Sequence, residues 1–426
     1  MASPQSITVD QMRQILGEVM DALESPDYAS KLDEAKEAAG NEMLKMMQIV
    51  FPMFTQMVRD METLDGEVAR LHSQIRSYYL PPVSISSSVD TSLHYKLFFL
   101  FIIVLYTFYF LLGIGDYINS KSFDDSFDYP LNVDIKHLVK EELAGRKPGV
   151  AAINYYPYRF LTNSGKCSTV EKLDLFIVVK SALNNFGHRT AIRKTYGQES
   201  MLPGRIVKVL FFLGVGTSSD TQRKVQEEMA ENKDIIQMDF MDTYFNNTIK
   251  TMMSFRWLFE HCPSADYYLF TDDDMYISVS NLLDYAESTI LKTDSTENTT
   301  QDGHLFAGYV FKSGPHRVHT SKWRVSLEEY PWNKWPPYVT AGAYVISKKT
   351  MNVLYIASLF VKHFRFDDIY LGIVAKKVGI VPTHCDRFHF YNKPYDREGY
   401  RGVIASHGFD NHDQLVSVWN EQNSLR

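Results

Sequence analysis

Tyr267-Tyr268-Leu269-Phe270-Thr271-Asp272-Asp273-Asp274 sets an apolar, aromatic run directly before three carboxylates. The run reads as a buried strand, so the acids fall at its carboxyl end, where open α/β sheets bind their ligands. Side chains alternate along a strand, so Asp272 and Asp274 share one side. Two carboxylates on one side repel unless a cation lies between them. Oxygen ligands of this kind suit Mg²⁺ or Mn²⁺, metals that commonly carry a diphosphate. A solvated acidic turn is the competing reading, and the surrounding sequence has to decide between them.

Outward from this run, strands and helices alternate. Residues 173–179 are a β-branched, apolar run that reads as a buried strand, with 207–213 and 235–239 as a second and third strand and 267–271 as the fourth. Helical spacing lies between them, at 222–231 and 249–261. This alternation predicts an α/β fold with a parallel or mixed sheet and flanking helices.

Three further stretches carry candidate chemistry. In His188-Arg189-Thr190-Ala191-Ile192-Arg193-Lys194-Thr195-Tyr196-Gly197, Arg189 and Arg193 are four apart and share a helix face. Guanidinium forks suit a diphosphate, although a solvated basic face has the same spacing. The segment 239–251 leads into the next helix, with Asn247 or Thr248 as its cap. Lys250, in its first turn, either reaches a phosphate or is an exposed lysine. Phe366-Asp367-Asp368-Ile369-Tyr370-Leu371-Gly372 places a second acid pair at another helix start. Asp368 is either a general base or an acid that caps that helix.

The order of these motifs resembles the β-1,3-galactosyltransferase-like family, glycosyltransferase family thirty-one, over about 173–419. The match takes in 188–197, with Tyr196 where the family usually has Trp, and 239–251. It continues through 266–278, the run Pro336-Pro337-Tyr338-Val339-Thr340-Ala341-Gly342-Ala343-Tyr344-Val345-Ile346-Ser347, and 366–372. Ala341 and Ala343 stand where the family often has Gly, and Asp367 stands where Glu is common.

The resemblance implies a GT-A-type fold, a UDP-sugar donor, a glycan acceptor on lipid or protein, and Mn²⁺ as cofactor. It also implies β-1,3 transfer with inversion. Asp368 matches the catalytic base. Asp274, with Asp272 nearby, would hold the metal and offset the charge of the leaving diphosphate. His407, in a tail ending near Trp419, matches a metal histidine, with His384, His389 and His412 as competitors. Arg189, Arg193, Lys250, Asp272 and Asp273 would serve the donor; Asp273 either meets the ribose or orders its loop. Trp332, Trp335 and Tyr338 either stack on an acceptor sugar or pack their loop. A binding protein that keeps the fold without turnover is the second reading. A Mg²⁺ phosphatase with paired aspartates fits poorly, because Met275-Tyr276 follows the acids.

The chain of 426 residues has room for more than one module. Its net charge of −7 resides in residues 1–90, which hold 14 acids and 7 bases. No basic stripe is present, which makes nucleic acid a poor candidate partner. Between Lys96 and Asp116 lie 19 uncharged residues, 97–115, near the length that crosses a bilayer. They are read as a transmembrane signal anchor. Residues 116–170 are read as a stem and 171–426 as the catalytic domain. Asn-x-Thr triplets at Asn246 and Asn298 can be glycosylated only on the luminal side, which with three downstream cysteines favours a type II Golgi membrane orientation. One bridge among Cys167, Cys262 and Cys385 is allowed, and the pair stays open.

Residues 1–90 read as a small helical segment with Met-rich stripes and no catalytic constellation. Through Leu44-Lys45-Met46-Met47-Gln48-Ile49-Val50-Phe51-Pro52, Thr55-Gln56 and Tyr79-Leu80-Pro81-Pro82, it resembles the small helical C-ten family. A true fusion and a join of two neighbouring genes both account for it. If it is a fusion, a cytoplasmic protein partner is expected.

Overall fold

The computed structural model describes residues 106–129, 133–167, 172–294 and 303–425, together with Arg70, Ile102 and Ile103. The helical reading of residues 1–90 falls outside these, apart from Arg70. Among the described residues no helix is long and apolar enough to cross a membrane. Residues 97–101 and 104–105 of the expected span lie outside them. The chain divides into two units: Met1–Phe127 with Ser313–Lys334, and Asp128–Lys312 with Trp335–Arg426.

The second unit is a mixed seven-stranded sheet in the order β3-β2-β1-β4-β7-β6-β8. Its strands are β1 (Leu173–Lys180), β2 (Val207–Val215), β3 (Ile235–Met241), β4 (Ala265–Asp272), β6 (Phe306–Phe311), β7 (Tyr338–Ser347) and β8 (Thr383–His384). The four strands expected from sequence are the first four, all parallel where they pair. β7 and β6 add to the β4 edge with antiparallel pairings. The helices are α1 (Ile135–Leu143), α2 (Phe186–Lys194), α3 (Ser219–Asn232), α4 (Asn247–His261), α5 (Val279–Asp294), α6 (Lys348–Ser358), α7 (Asp367–Val378) and α8 (His412–Asn423).

Both faces of β1 are covered, which is why Leu175–Val179 is an unbroken apolar run. Leu175, Ile177 and Val179 share one buried cluster with Ile192 of α2, Val225 of α3, Leu282 of α5 and Leu415 of α8. On the other face Phe176 meets Trp257 of α4, and Phe270 of β4 stacks between Phe255 and Tyr344. The disulfide joins Cys167, just before β1, to Cys262 at the end of α4, and leaves Cys385 buried as a free thiol.

Two details of pairing position the site. In the β1–β4 register Lys180 lies opposite Asp272, so two strands end together. A three-stranded second sheet, β5 (Tyr276–Ile277), β10 (Ala405–Ser406) and β9 (Phe388–His389), pairs Ser406 with Tyr276. That pairing carries the C-terminal tail back to the acidic triplet.

In the first unit the chain turns at Gly113, whose φ is +65°. A Cβ there would stand 2.2 Å from the Arg317 carbonyl oxygen, so only glycine fits. Arg317 is fully buried and donates to the carbonyls of Val325, Tyr330 and Trp332. Residues 113–127 are thus wrapped by 313–334, and the segment read as a stem is divided between the two units.

Candidate active site

The carboxyl end of β4 meets the start of α7 through one buried lysine. Lys180 Nζ lies 2.8 Å from Asp367 Oδ2 and 3.2 Å from Asp272 Oδ1. Thr251 of α4 donates its hydroxyl to the same Asp367 oxygen at 2.7 Å. Burial alone would raise the Asp367 carboxyl, but Lys180 and Thr251 outweigh it and hold it below the usual range. Asp272 is pushed up to about 6, by burial first, then by the charges of Asp274 and Asp367 against the pull of Lys180. Asp272 nevertheless keeps 37% of its side chain open to solvent.

Asp368 stands beside this cluster without an ammonium of its own. Its Oδ1 accepts from the Ile369 N–H at 2.8 Å, so it partly serves the helix start as well. Burial, and then the charge of Asp367, push its carboxyl up to about 7. A half-buried carboxylate poised near neutral pH has the character of a general base.

At the last residue of the triplet, Asp274 Oδ2 lies 3.1 Å from His407 Nε2. The contact follows from the small sheet, because His407 comes directly after β10 and the Phe409 N–H donates to the Asp274 carbonyl at 2.9 Å. The hydrogen bond to Asp274 raises the His407 imidazole against the effect of burial. The same bond, against burial, holds Asp274 below the usual range. Asp274 Oδ1 is buried and has no hydrogen-bond partner.

With these positions fixed, the sequence relatives can be placed. Residues 187–386 match the model of the family described as Galactosyltransferase. "Beta-1,3-galactosyltransferase brn" of Drosophila melanogaster is 39% identical over 311 residues, spanning 72% of this chain and 90% of that protein. The chain belongs to the β-1,3-galactosyltransferase family. "Lactosylceramide 1,3-N-acetyl-beta-D-glucosaminyltransferase" of Xenopus tropicalis is 36% identical over 275 residues, spanning 62% of this chain and 70% of that protein. "Beta-1,3-galactosyltransferase 1" of Mus musculus is 31% identical over 275 residues, spanning 64% and 81%. At the other end, residues 8–57 and 53–93 match the model of Protein C10.

Within this β-1,3-galactosyltransferase frame, four expected donor contacts have different surroundings. Arg189 is fully buried and donates to Glu228, to the Ser181 hydroxyl and to the carbonyls of Ala182 and Leu183. Arg193 binds Glu228 and Asp234. The two do share a helix face, as their spacing predicts, but that face meets acids of the fold, and their forks are engaged there. Lys250 Nζ is buried between Asp242 at 2.8 Å and the Ser181 carbonyl at 2.7 Å. Asp273 orders its loop: it accepts from the Ser181 hydroxyl, the Ala182 N–H and the Asn185 amide. All four side chains are engaged with other groups of the fold in this structure.

Other expectations are likewise resolved by position. Helix α4 begins at Asn247 after an Asn246 cap, and the Thr248 hydroxyl is buried without a partner. Asn246 is half-buried and donates to the Met241 carbonyl; Asn298 lies outside the described residues. Trp332 and Trp335 are buried and pack their loops, whereas Tyr338 is half-buried. His384 Nδ1 accepts from the Val310 N–H, and the His412 ring lies against His188. Sequence reading passed over Lys180, which looks like the end of an apolar strand, and Thr251. It also passed over the Tyr344 and Tyr196 hydroxyls, both buried and without partners beside the acids.

Proposed function

We propose that this chain is an inverting glycosyltransferase that moves a hexose or N-acetylhexosamine from a UDP-sugar to a sugar hydroxyl of a glycolipid or glycoprotein, forming a β-1,3 linkage. The observation that carries this reading is the convergence of Asp272, Asp274 and His407 at the end of β4 with Asp367 and Asp368 at the start of α7, bridged by Lys180. Family membership supports the β-1,3 linkage, and galactose is the donor sugar to offer first.

Asp368 takes the proton from the attacking acceptor hydroxyl. Asp367, fixed by Lys180 and Thr251, holds the start of α7 in place and keeps its neighbour basic. Among the described residues no three His, Cys, Asp or Glu side chains form a ready cage for a metal. Small divalent cations are commonly held by one or two carboxylates together with substrate phosphates, and the unpartnered Asp274 Oδ1 suits that arrangement. Asp274 and His407, with Asp272 beside them, would hold Mn²⁺. That ion would supply positive charge to the departing diphosphate.

We place the protein in the Golgi membrane, type II, with the catalytic unit luminal. The described helical residues near 102–111 expose Ile102, Ile103, Tyr106, Phe108 and Phe110, as a lipid-facing segment would. The Cys167–Cys262 disulfide suits an oxidising lumen. Residues 1–90 would then face the cytoplasm, open to a protein partner.

The test is UDP release by the full-length chain in detergent, offered UDP-galactose, UDP-N-acetylgalactosamine and UDP-N-acetylglucosamine with Mn²⁺ and β-linked acceptors. Acceptor-dependent release, lost in Asp368→Asn and Asp274→Ala, is expected. A folded protein that binds UDP but transfers to no acceptor would instead be a binding relative.

A further inference from the structure

The two tryptophans that the sequence offers as stacking surfaces are buried, yet another group of rings lies open beside the site. Phe390 is 39% and Tyr391 47% exposed, at consecutive positions. The Phe390 ring centroid is 4.5 Å from that of Tyr309 and 4.7 Å from that of Phe311, and Tyr391 follows at 5.3 Å. Tyr309 and Phe311 are two apart on β6, so they share one face, and Tyr338 stacks on Phe311 with the ring planes 20° apart. Contiguous exposed aromatic faces, unlike scattered single rings, mark ligand or partner sites.

Its position ties it to the reaction. Phe390 directly follows β9, and the carbonyl of the preceding residue, His389, accepts from the His407 N–H at 3.0 Å. On the other flank, a Cβ on Gly372 of α7 would lie 2.6 Å from the Tyr338 Cβ, so Tyr338 sits directly against the helix that starts with Asp367 and Asp368. The β6–β7 pairing is irregular here: Gly308 faces Tyr344 and Val310 faces Val339, so residue 309 opposes residues 340–343. Such bulges redirect side chains next to active sites. The rings therefore run from the segment bonded to His407 to the helix that bears Asp368.

We propose that Phe390 and Tyr391, backed by Tyr309 and Phe311, form the platform on which a pyranose ring of the acceptor glycan stacks. The C–H face of a β-linked hexose is flat and apolar, while its rim of hydroxyls stays wet. An exposed aromatic face with tyrosine hydroxyls at its edge meets both requirements. The proposal rests on the glycosyltransferase reading above and adds where the acceptor lies.

The test uses the full-length chain in detergent, with Phe390→Ala, Tyr391→Ala and the conservative Phe390→Trp, and has two readouts. In steady-state transfer to a methyl β-disaccharide, each alanine variant is expected to raise the acceptor KM by roughly tenfold, the worth of one lost stacking contact, and Phe390→Trp to restore it. kcat and the donor KM should move less than about twofold. An unchanged acceptor KM, or a fall in kcat alone, overturns the platform. A loss seen only with long alkyl aglycones would assign the rings to a lipid chain and also overturn it. The second readout is saturation-transfer NMR of the same disaccharide on the protein without donor. If the wild-type chain transfers nothing but binds the disaccharide, and Phe390→Ala does not, the platform stands and the transferase reading falls. No disaccharide contact at these rings in the wild-type chain sinks the platform, whatever the activity.

Discussion

Replacing Lys180 with methionine keeps the apolar stem of the side chain and removes its charge. In the native site the ammonium is buried, 2.8 Å from Asp367 and 3.2 Å from Asp272. The variant leaves these two carboxylates near each other, with the Thr251 hydroxyl still on Asp367. Losing one partner of a buried ion pair costs about 3–5 kcal/mol, and a domain of this size loses roughly 2–4 °C of Tm per kcal/mol, so a fall of about 10 °C is expected near pH 8. The sign with pH follows from the native shifts. Lys180 is raised, so its contribution is full below the ordinary lysine value, and pH 8 lies inside that window. Asp367 is depressed, so its contribution is present above the usual carboxylate value and disappears as pH falls through its folded value. Asp272, at about 6 even with Lys180 present, rises further in the variant and takes up a proton as the pH falls. The gap between wild type and variant should therefore narrow as the pH falls from 8 to 5. Tryptophan fluorescence of the full-length chain on heating, at both pH values, measures it. Asp367→Asn and the double variant complete the cycle. Equal losses at both pH values, or single losses that simply add in the double variant, would refute the reasoning.

The remaining predictions concern the proposed chemistry and the fold. If Asp368 is the base, kcat/KM should be full above about 7 and fall tenfold per pH unit below it, because only the unprotonated carboxylate accepts the proton. Asp368→Asn should lower kcat by about 10²–10⁴ and remove that acid limb, while calorimetric UDP binding is kept. Asp274→Asn should weaken Mn²⁺-dependent UDP binding at least about tenfold by calorimetry, and His407→Ala should do the same; unchanged binding would remove both from the metal site. Cys167→Ser should cost about 2–5 kcal/mol in denaturant unfolding, and Cys385 should resist thiol reagents until the chain unfolds.

What the sequence made legible depended on how local the cause was. β1, β2 and β4 carry buried apolar runs at 175–179, 209–213 and 268–270, and β3 a shorter one, so these runs identified them before any neighbour was known. β5, β9 and β10 have two residues each and no period to read; pairing alone makes them strands. Because that pairing delivers His407 to Asp274, His407 stood level with other histidines until a family resemblance singled it out. The i, i+4 spacing of Arg189 and Arg193 correctly put them on one face. The partners of that face, Glu228 on α3 and Asp234 before β3, lie some 35–45 residues downstream and carry no local signal. Lys180 escaped notice for a related reason: only the β1–β4 register sets it opposite Asp272. The acidic triplet and the Asp367–Asp368 pair were legible as chemistry, because carboxylates crowded at the end of a buried element repel one another unless a cation or a proton donor meets them.

The most direct measurement is the structure of the product. Full-length chain is incubated with Mn²⁺, UDP-galactose and a β-linked disaccharide acceptor, and the purified product is examined by NMR. One added hexose in β configuration on the 3-hydroxyl is predicted, formed by wild type and absent with Asp368→Asn. An α-linked product, or one that Asp368→Asn still makes at the wild-type rate, would contradict the assignment of Asp368 as the base of an inverting transfer.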